Sequence, residues 1–280
     1  MYNIAIVIIF YNPTEEMILK AKTLSKEFHV YIVDNSQESL SFNAPINYYS
    51  LRSNKGIAYA QNVAIQQVLR TGVEFILFLD QDSCINSCSI LQLLQVYKEI
   101  EKRDSNIVAV GPSLVDNTNN QPYKSSLVWS CDKNVRVNTL ICSGTLTKVQ
   151  KLREVGLMDA RLFIDYVDFE WCRRAGSKGG TFYITRDVVL QHQVGQHSFS
   201  VVGLVFIKSA PMRYYYRYRN TFLLSRELYV PFIWKVKSLF KMPLELLLVV
   251  VHPVYKGERG IILKNAIKGM MEGLFYYEKE

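Results

Sequence analysis

Phe75-Ile-Leu-Phe-Leu-Asp-Gln-Asp-Ser83 sets an unbroken apolar run ahead of two aspartates, Asp80 and Asp82. Such a run reads as a strand covered on both faces, the kind found in parallel sheets. Successive strand residues alternate sides, so the two acids are expected on one side, where their oxygens converge on a divalent cation. An isolated Asp-x-Asp also occurs in ordinary solvated turns. Its position after a buried fourth strand is what gives it weight.

Upstream, Ile4–Phe10, His29–Asn35 and Ile46–Leu51 read as the first three strands, with a helix opened by Pro13 and running to about Lys26. The apolar spacing in SNKGIAYAQNVAIQQVLRTG (Ser53–Gly72) is helical up to its glycine stop. Downstream come a helix from about Ile90 to Lys102, a strand Ile107–Pro112 and a polar, loop-like stretch over 116–140. Leu140–Gly156 then reads as a strand running into a helix, and a second acidic cluster lies between Leu162 and Gln193. Strands alternating with helices specify an α/β fold on a mainly parallel sheet, with ligands expected at the C-terminal ends of the strands.

A chain of 280 residues is near the limit of one hydrophobic core. A main domain over 1–210 is expected, with halves of about 1–112 and 113–210, and an extension over 211–280. Apolar residues at 49% and charged residues at 21% exclude a disordered or fibrous chain. Five cysteines and no secretory leader argue against a disulfide framework and for a reducing compartment. Cys84 and Cys88 have no second pair to complete a tetrahedral metal site. The apolar N-terminal run lacks a basic flank and ends at Asn12-Pro13, too early to span a bilayer.

The net charge of +8 is unevenly spread. Residues 1–204 hold 20 lysines and arginines against 19 acids, whereas 205–280 hold 13 against 6. This last quarter contains the aromatic, basic segment Met212–Leu228 and the apolar Leu244–Val251. Two readings stand side by side: a surface resting on an anionic bilayer, and packed helices whose cations are merely solvated. Nucleic-acid binding ranks last, since no recognised motif for it is present.

Seven segments together carry a resemblance: IVIIFYNP (Ile6–Pro13), IVDNS (Ile32–Ser36), SNKGIAYAQN (Ser53–Asn62), FLDQDS (Phe78–Ser83), CSGTLTKVQKLREVGLMD (Cys142–Asp159), LFIDYVDFEWCRRAGSKG (Leu162–Gly179) and YRYRN (Tyr216–Asn220). The chain resembles the inverting family 2 glycosyltransferases of the GT-A fold, and within them the bacterial rhamnosyltransferases of surface polysaccharide synthesis. The resemblance implies a GT-A, Rossmann-like sheet with a helical, membrane-associating C-terminal extension. It implies transfer of L-rhamnose from dTDP-rhamnose, aided by Mg²⁺ or Mn²⁺, to a polyprenyl-diphosphate-linked glycan of O-antigen, capsule or cell wall. The place of action would be the inner, cytoplasmic face of the bacterial membrane, as a peripheral protein. A UDP-hexose or UDP-galactofuranose donor is the runner-up, and a non-catalytic membrane-surface adaptor is the reading from another class.

Carried over residue by residue, the resemblance places Asp34 on the nucleobase, with the Phe10, Tyr11 and Asn12 backbone beside it. Gly56 and Asn62 fall in the segment approaching the nucleotide, while Asn54 also reads as a helix N-cap. Asp80 falls near the ribose, and Asp82 with His192 falls on the metal. Asp168 is the expected base that takes the acceptor proton, at a position preceded by Val167 where relatives carry a glutamate. Asp165, one helical turn earlier, is the runner-up. Glu170 reads as an ion-pair partner of Arg173 or Arg174. Ser143 and Gly144 are expected to face donor or acceptor, Trp171 to stack on a sugar or join the core, and Arg217 with Arg219 to clamp a diphosphate or reach toward lipid.

Overall fold

The computed structural model describes residues 1–42, 45–116, 132–192, 197–201 and 204–276. The chain folds into two compact units, Met1–Phe163 with Val167–Gln193, and Ile164–Tyr166 with Val194–Glu280. The first unit holds the strands β1 (Ile4–Phe10), β2 (His29–Asp34), β3 (Ile46–Ser50), β4 (Phe75–Asp80), β5 (Ile107–Asp116), β6 (Asn134–Val137), β7 (Leu146–Lys148) and β8 (Thr181–His192). Its helices are α1 (Glu15–Leu24), α2 (Ile57–Val68), α3 (Ser87–Glu101), α4 (Val149–Val155) and α5 (Val167–Ser177).

The eight strands form one sheet in the order β3-β2-β1-β4-β7-β5-β8-β6. The first four are parallel, as are β5 and β8, while β7 and β6 run antiparallel to their neighbours. β1 explains the arrangement: Ile4, Ile6, Ile8 and Phe10 enter one core layer, and the intervening Ala5 and Val7 are buried as well. Only a strand sandwiched between two layers has no polar face, and each large side chain so buried contributes roughly 1.5–3 kcal/mol. On α3 the stripe Ile90, Leu93, Val96, Tyr97 and Ile100 enters that same core at helical spacing.

Winding runs outward from β1 through β2 to β3, whereas β4 returns to the other flank of β1. This reversal is a topological switch point, the crevice where open α/β sheets bind ligands. Several boundaries depart from the sequence reading. β5 continues to Asp116 beyond an irregularity at Pro112/Ser113, and β6 forms within the stretch read as a loop because β8 supplies its hydrogen-bond partners. Asn54 is not the N-cap of α2; Gly56 is, and the Asn54 side-chain oxygen accepts a bond from the Gly56 N–H.

The second unit begins before residue 210. It holds the hairpin β9 (His197–Val201) and β10 (Leu204–Lys208), followed by α6 (Pro211–Arg226), α7 (Phe232–Val251) and α8 (Arg259–Leu274). Its core contains Phe206, Tyr214, Tyr218, Met242, Val249, Tyr255, Ile262 and Ala266. Among the described residues no helix is long and apolar enough to cross a membrane.

α6 and α8 meet backbone to backbone. A Cβ built on Gly269 would lie 2.2 Å from the Tyr215 carbonyl oxygen, and one on Gly273 would lie 2.7 Å from that of Arg219. Gly269→Val should therefore destabilise this unit by about 1–3 kcal/mol, whereas Gly260→Ala, with nothing within 4 Å, should cost nothing. Urea unfolding followed by fluorescence checks this; equal midpoints for the two variants would contradict the close helix contact.

Candidate active site

The rim of the switch point is built by the residues leaving β1 and β4. Gln81 holds them together: its Oε1 accepts from the Tyr11 N–H at 2.8 Å, and its Nε2 donates to the Tyr11 carbonyl at 3.2 Å. Tyr11 and Asn12 are exposed, and Phe10 is buried beneath them. β4 ends at Asp80, and the Ser83 N–H bonds back to the Asp80 carbonyl at 3.0 Å. Asp82 thus lies in a turn, not on an extended strand where alternation would set it beside Asp80. The turn leaves Asp80 half-buried and Asp82 exposed.

Asp34 ends β2 without solvent-exposed surface. Its Oδ1 accepts from the Ser36 N–H at 2.8 Å and its Oδ2 from the Tyr48 hydroxyl at 2.9 Å, while the Ser36 hydroxyl accepts from the Asn12 N–H at 2.7 Å. The acid is thereby wired to the Tyr11–Asn12 rim. Burial pushes the Tyr48 phenol up, and the Asp34 carboxylate adds to the effect. Next in the chain, Asn35 accepts from the Lys55 N–H at 3.0 Å and donates to the Gly56 carbonyl at 3.3 Å.

α2 anchors three later segments. Gly56 sits at φ +88°, and a Cβ there would fall 2.6 Å from the Phe163 ring. The glycine lets the Phe163 carbonyl accept from the Ile57 N–H at 2.7 Å, capping a helix start that has no capping side chain. Asn62 is engaged with Met158, donating to its carbonyl and accepting from its N–H, each at 2.8 Å. Gln61 donates to the Cys142 sulfur at 2.9 Å.

Cys142 opens a turn that packs under the β4 loop. The Ser143 hydroxyl accepts from the Asp80 N–H at 3.1 Å and lies 2.6 Å from the Ser83 hydroxyl; Ser143 is fully buried. Gly144 has φ +80°, where a Cβ would strike the Pro112 ring at 2.6 Å. Ser143 thus holds the Asp80–Ser83 turn and lines the cavity that Asp168 borders, while the Gly144 N–H donates to the Phe78 carbonyl of β4 at 2.8 Å. Burial pushes the Cys142 thiol well up, and the charges of Asp80 and Asp168 push it further. One thiol thus senses both the acid of the β4 turn and the acid of α5.

Asp168 stands in the first turn of α5, half-buried, its Oδ1 accepting from the Phe169 N–H at 2.8 Å. It lines a cavity of about 220 Å³ with Gly111, Leu114, Leu140, Ile141 and Ile184. Before α5, Phe163, Asp165 and Tyr166 all have positive φ, a rare state for such residues and a site of stored strain. Asp165 is therefore in an irregular turn and not one helical turn before Asp168. Within the C-terminal unit this turn is held by Asn220, whose Nδ2 donates to the carbonyls of Ile164 at 2.8 Å and Asp165 at 3.1 Å, and by an ion pair between Asp165 and Arg213.

The remaining expected residues are placed as follows. Glu170 is buried and forms a two-pronged pair with Arg174, at 2.7 and 3.0 Å. Trp171 is buried, donating from Nε1 to the Gly156 carbonyl at 2.9 Å and meeting Phe182 edge-on, so the structure gives it the core place. Arg217 and Arg219, two positions apart on α6, project from different sides and do not converge as a clamp. Arg217 pairs with Glu245 at 2.7 Å, whereas Arg219 packs over Tyr215 and Tyr216. His192 ends β8, and its side chain lies outside the described residues.

Asp80 and Asp82 are hard oxygen donors, the type that Mg²⁺ and Mn²⁺ take. Among the described residues no three His, Cys, Asp or Glu side chains gather into a metal cage. A pair of carboxylates that leaves most positions to water and substrate phosphates still suits Mg²⁺, which is seldom caged by protein alone. Gln61, Tyr48, Gln81 and Asn220 were not read from the sequence as site residues. Amides and a phenol within regular elements give no signal until their distant partners are known.

No family model matches the chain. It is 31% identical, over 290 residues, to the dTDP-rhamnosyl transferase RfbF of Shigella flexneri, an alignment covering 97% of this chain and 95% of that protein. Among solved structures, S. aureus TarS 1–349 is similar with a TM-score of 0.52 and 13% identity, over 97% of this chain and 80% of TarS 1–349. GalNAc-T7, solved with UDP, GalNAc and Mn²⁺, is similar with a TM-score of 0.51 and 14% identity, over 89% of this chain and 58% of that one. At these identities the structural likeness speaks for the GT-A fold.

The thiols offer a direct check of the site's electrostatics. Burial raises Cys172 to about 12 and Cys142 well above its ordinary value, so at pH 8 only roughly one Cys172 in 10⁴ is a thiolate. Iodoacetamide at that pH should label the exposed Cys84 and Cys88 and spare Cys142 and Cys172 until the protein is unfolded. Mass spectrometry reads the outcome, and native labelling of the half-buried Cys142 as fast as that of Cys84 would contradict its raised thiol.

Proposed function

Because this chain belongs to the glycosyltransferase family that includes the dTDP-rhamnosyl transferases, we propose that it moves L-rhamnose from dTDP-rhamnose to a hydroxyl of a polyprenyl-diphosphate-linked glycan, with inversion. It is a glycosyltransferase of the GT-A fold that uses a nucleotide-sugar donor. The observation that supports the mechanistic reading is geometric: Ser143, whose hydroxyl accepts from the Asp80 N–H at 3.1 Å, lines the same cavity as Asp168, so the acid after β4 and the acid of α5 border one locality.

In this reading the nucleobase lies along the Tyr11–Asn12 rim, whose backbone is held by Gln81 and by the Asp34–Ser36 pair. The Asp80–Asp82 turn faces the diphosphate and ribose. A divalent ion held by Asp82, with Asp80 and His192 near it, would offset the charge that grows on the leaving nucleoside diphosphate. The acceptor sits at the cavity beside Asp168, which takes the proton of the acceptor hydroxyl as its oxygen bonds to the anomeric carbon. The bond from that carbon to the diphosphate oxygen breaks on the opposite face, and the electron pair leaves with the nucleotide. The apolar walls Leu114, Leu140, Ile141 and Ile184 keep bulk water from competing with the acceptor.

Peripheral attachment to the inner membrane face is part of the proposal. Phe232, Ile233, Phe240, Leu247 and Val251 on α7 are all exposed, and the exposed Lys237 lies on the flank of this stripe. An apolar stripe edged with cations suits a bilayer containing anionic lipid.

Asp168→Asn should keep donor binding and lower kcat by about 10²–10⁴-fold, and Asp82→Ala should lose the part of donor binding that EDTA abolishes in the wild type. Calorimetry with dTDP-rhamnose, UDP-glucose and UDP-galactofuranose, each with Mn²⁺ and with EDTA, tests the donor. Preference for a UDP-sugar would overturn the rhamnose assignment, and near-normal turnover in Asp168→Asn would move the base to Asp165. For the membrane, Phe240→Glu combined with Leu247→Glu should abolish sedimentation with phosphatidylglycerol vesicles; unchanged sedimentation would refute the α7 face.

A further inference from the structure

The chain reaches Asp168 through a turn in which Phe163, Asp165 and Tyr166 have φ of +61°, +63° and +66°. Side chains of this bulk stay at positive φ only where their surroundings hold them. Within the C-terminal unit the hold centres on Asn220 of α6, which has no solvent-exposed surface. Its Nδ2 donates to the carbonyls of Ile164 at 2.8 Å and Asp165 at 3.1 Å. Its Oδ1 accepts from Arg219, from Nε at 3.1 Å and from Nη2 at 2.9 Å. Turned the other way, the amide would set its oxygen against two carbonyl oxygens and its NH₂ against a guanidinium, so Arg219 fixes which way it faces. An aspartate would offer the two carbonyls no donor, and an alkyl side chain nothing at all. The Asp165 carboxylate adds a second hold, accepting from Arg213 Nε at 3.2 Å and from Arg213 Nη2, and Tyr166 meets Trp234 of α7 edge-on.

We propose that Asn220, oriented by Arg219, is a positioning residue: it fixes the turn before α5 and thereby aims the Asp168 carboxylate. The inference rests on the reading of Asp168 as the base. The upstream end of the turn is fixed, since the Phe163 carbonyl accepts from the Ile57 N–H at 2.7 Å. A turn that relaxes therefore moves its downstream end, and Asp168 lies just two residues beyond Tyr166. Reacting groups displaced by an ångström lose large factors in rate, whereas donor binding does not pass through this turn. The YRYRN segment thus acts through an amide and the guanidinium that orients it.

The full chain tests this by two readouts. Turnover is read as dTDP release from dTDP-rhamnose with Mn²⁺ and the alkyl glycoside that serves the wild type best. Asn220→Ala and Asn220→Asp should each lower kcat about tenfold or more, with the donor KM within about twofold of wild type. Hydrogen–deuterium exchange over 163–170 should quicken in both. Arg219→Met, which lets the amide turn over, should lower kcat in the same way. Ile262→Ala, in the buried core of α8, weakens the same unit without touching the turn and should leave kcat within about twofold. Because Asn220 acts through Asp168, adding Asn220→Ala to Asp168→Asn should cost nothing further. Unchanged kcat or unchanged exchange in the Asn220 variants, an equal loss in Ile262→Ala, or an additive double variant overturns the proposal, and wild-type kcat in Arg219→Met strikes the arginine from it. A wild type that releases no dTDP with any glycoside sinks the transferase reading instead. Exchange over 163–170 then decides whether Asn220 locks the turn: faster in both variants if it does, unchanged if it does not.

Discussion

The catalytic unit depends on how the first turn of α2 is capped. Its leading N–H groups have no capping side chain, and the Phe163 carbonyl answers them across a glycine that has no room for a Cβ. The same helix holds Met158 through Asn62 and the Cys142 turn through Gln61. One amphipathic helix thus fixes the segment preceding the acidic block and the turn beneath Asp80. The proposed roles of the acids on β4 and α5 call for such a common support, since errors of an ångström cost large factors in rate.

Polar groups near the rim fall into two sets. Ser143, Asn62, Asn35 and Asp34 are committed chiefly to backbone groups, and Gln61 donates to the Cys142 sulfur, largely away from solvent. Asp82, Tyr11 and Asn12 remain exposed. Buried donors and acceptors left unpaired are costly, so a fold that presents a few groups to a ligand must tie down those around them.

The C-terminal unit follows a different rule. Glycines on α8 let its backbone touch that of α6, and α7 turns one face inward with Met242, Glu245 and Val249 while Phe240 and Leu247 face out. Pro243 is accommodated inside α7. The excess of basic residues seen in the sequence is therefore mounted on a helical layer with its own core, in which the cations nearest the centre are paired or stacked on aromatic rings.

The amino-acid sequence by itself determined the strands β1, β2 and β4, the placing of Asp34 and Asp80 at strand ends, and the glycosyltransferase family. Unbroken apolar runs and turn residues are local signals that survive without knowledge of neighbours. Only the tertiary structure decided that Asp82 lies in a turn, that Asp165 leaves the helix of Asp168, that Trp171 is core, and that Arg217 and Arg219 part company. It alone revealed Gln81, Tyr48 and Gln61 as the ties of the site. A strand or helix is dictated by neighbours a few residues away, but the fate of a polar side chain is set by whichever donor or acceptor the fold brings to it from a distant part of the chain.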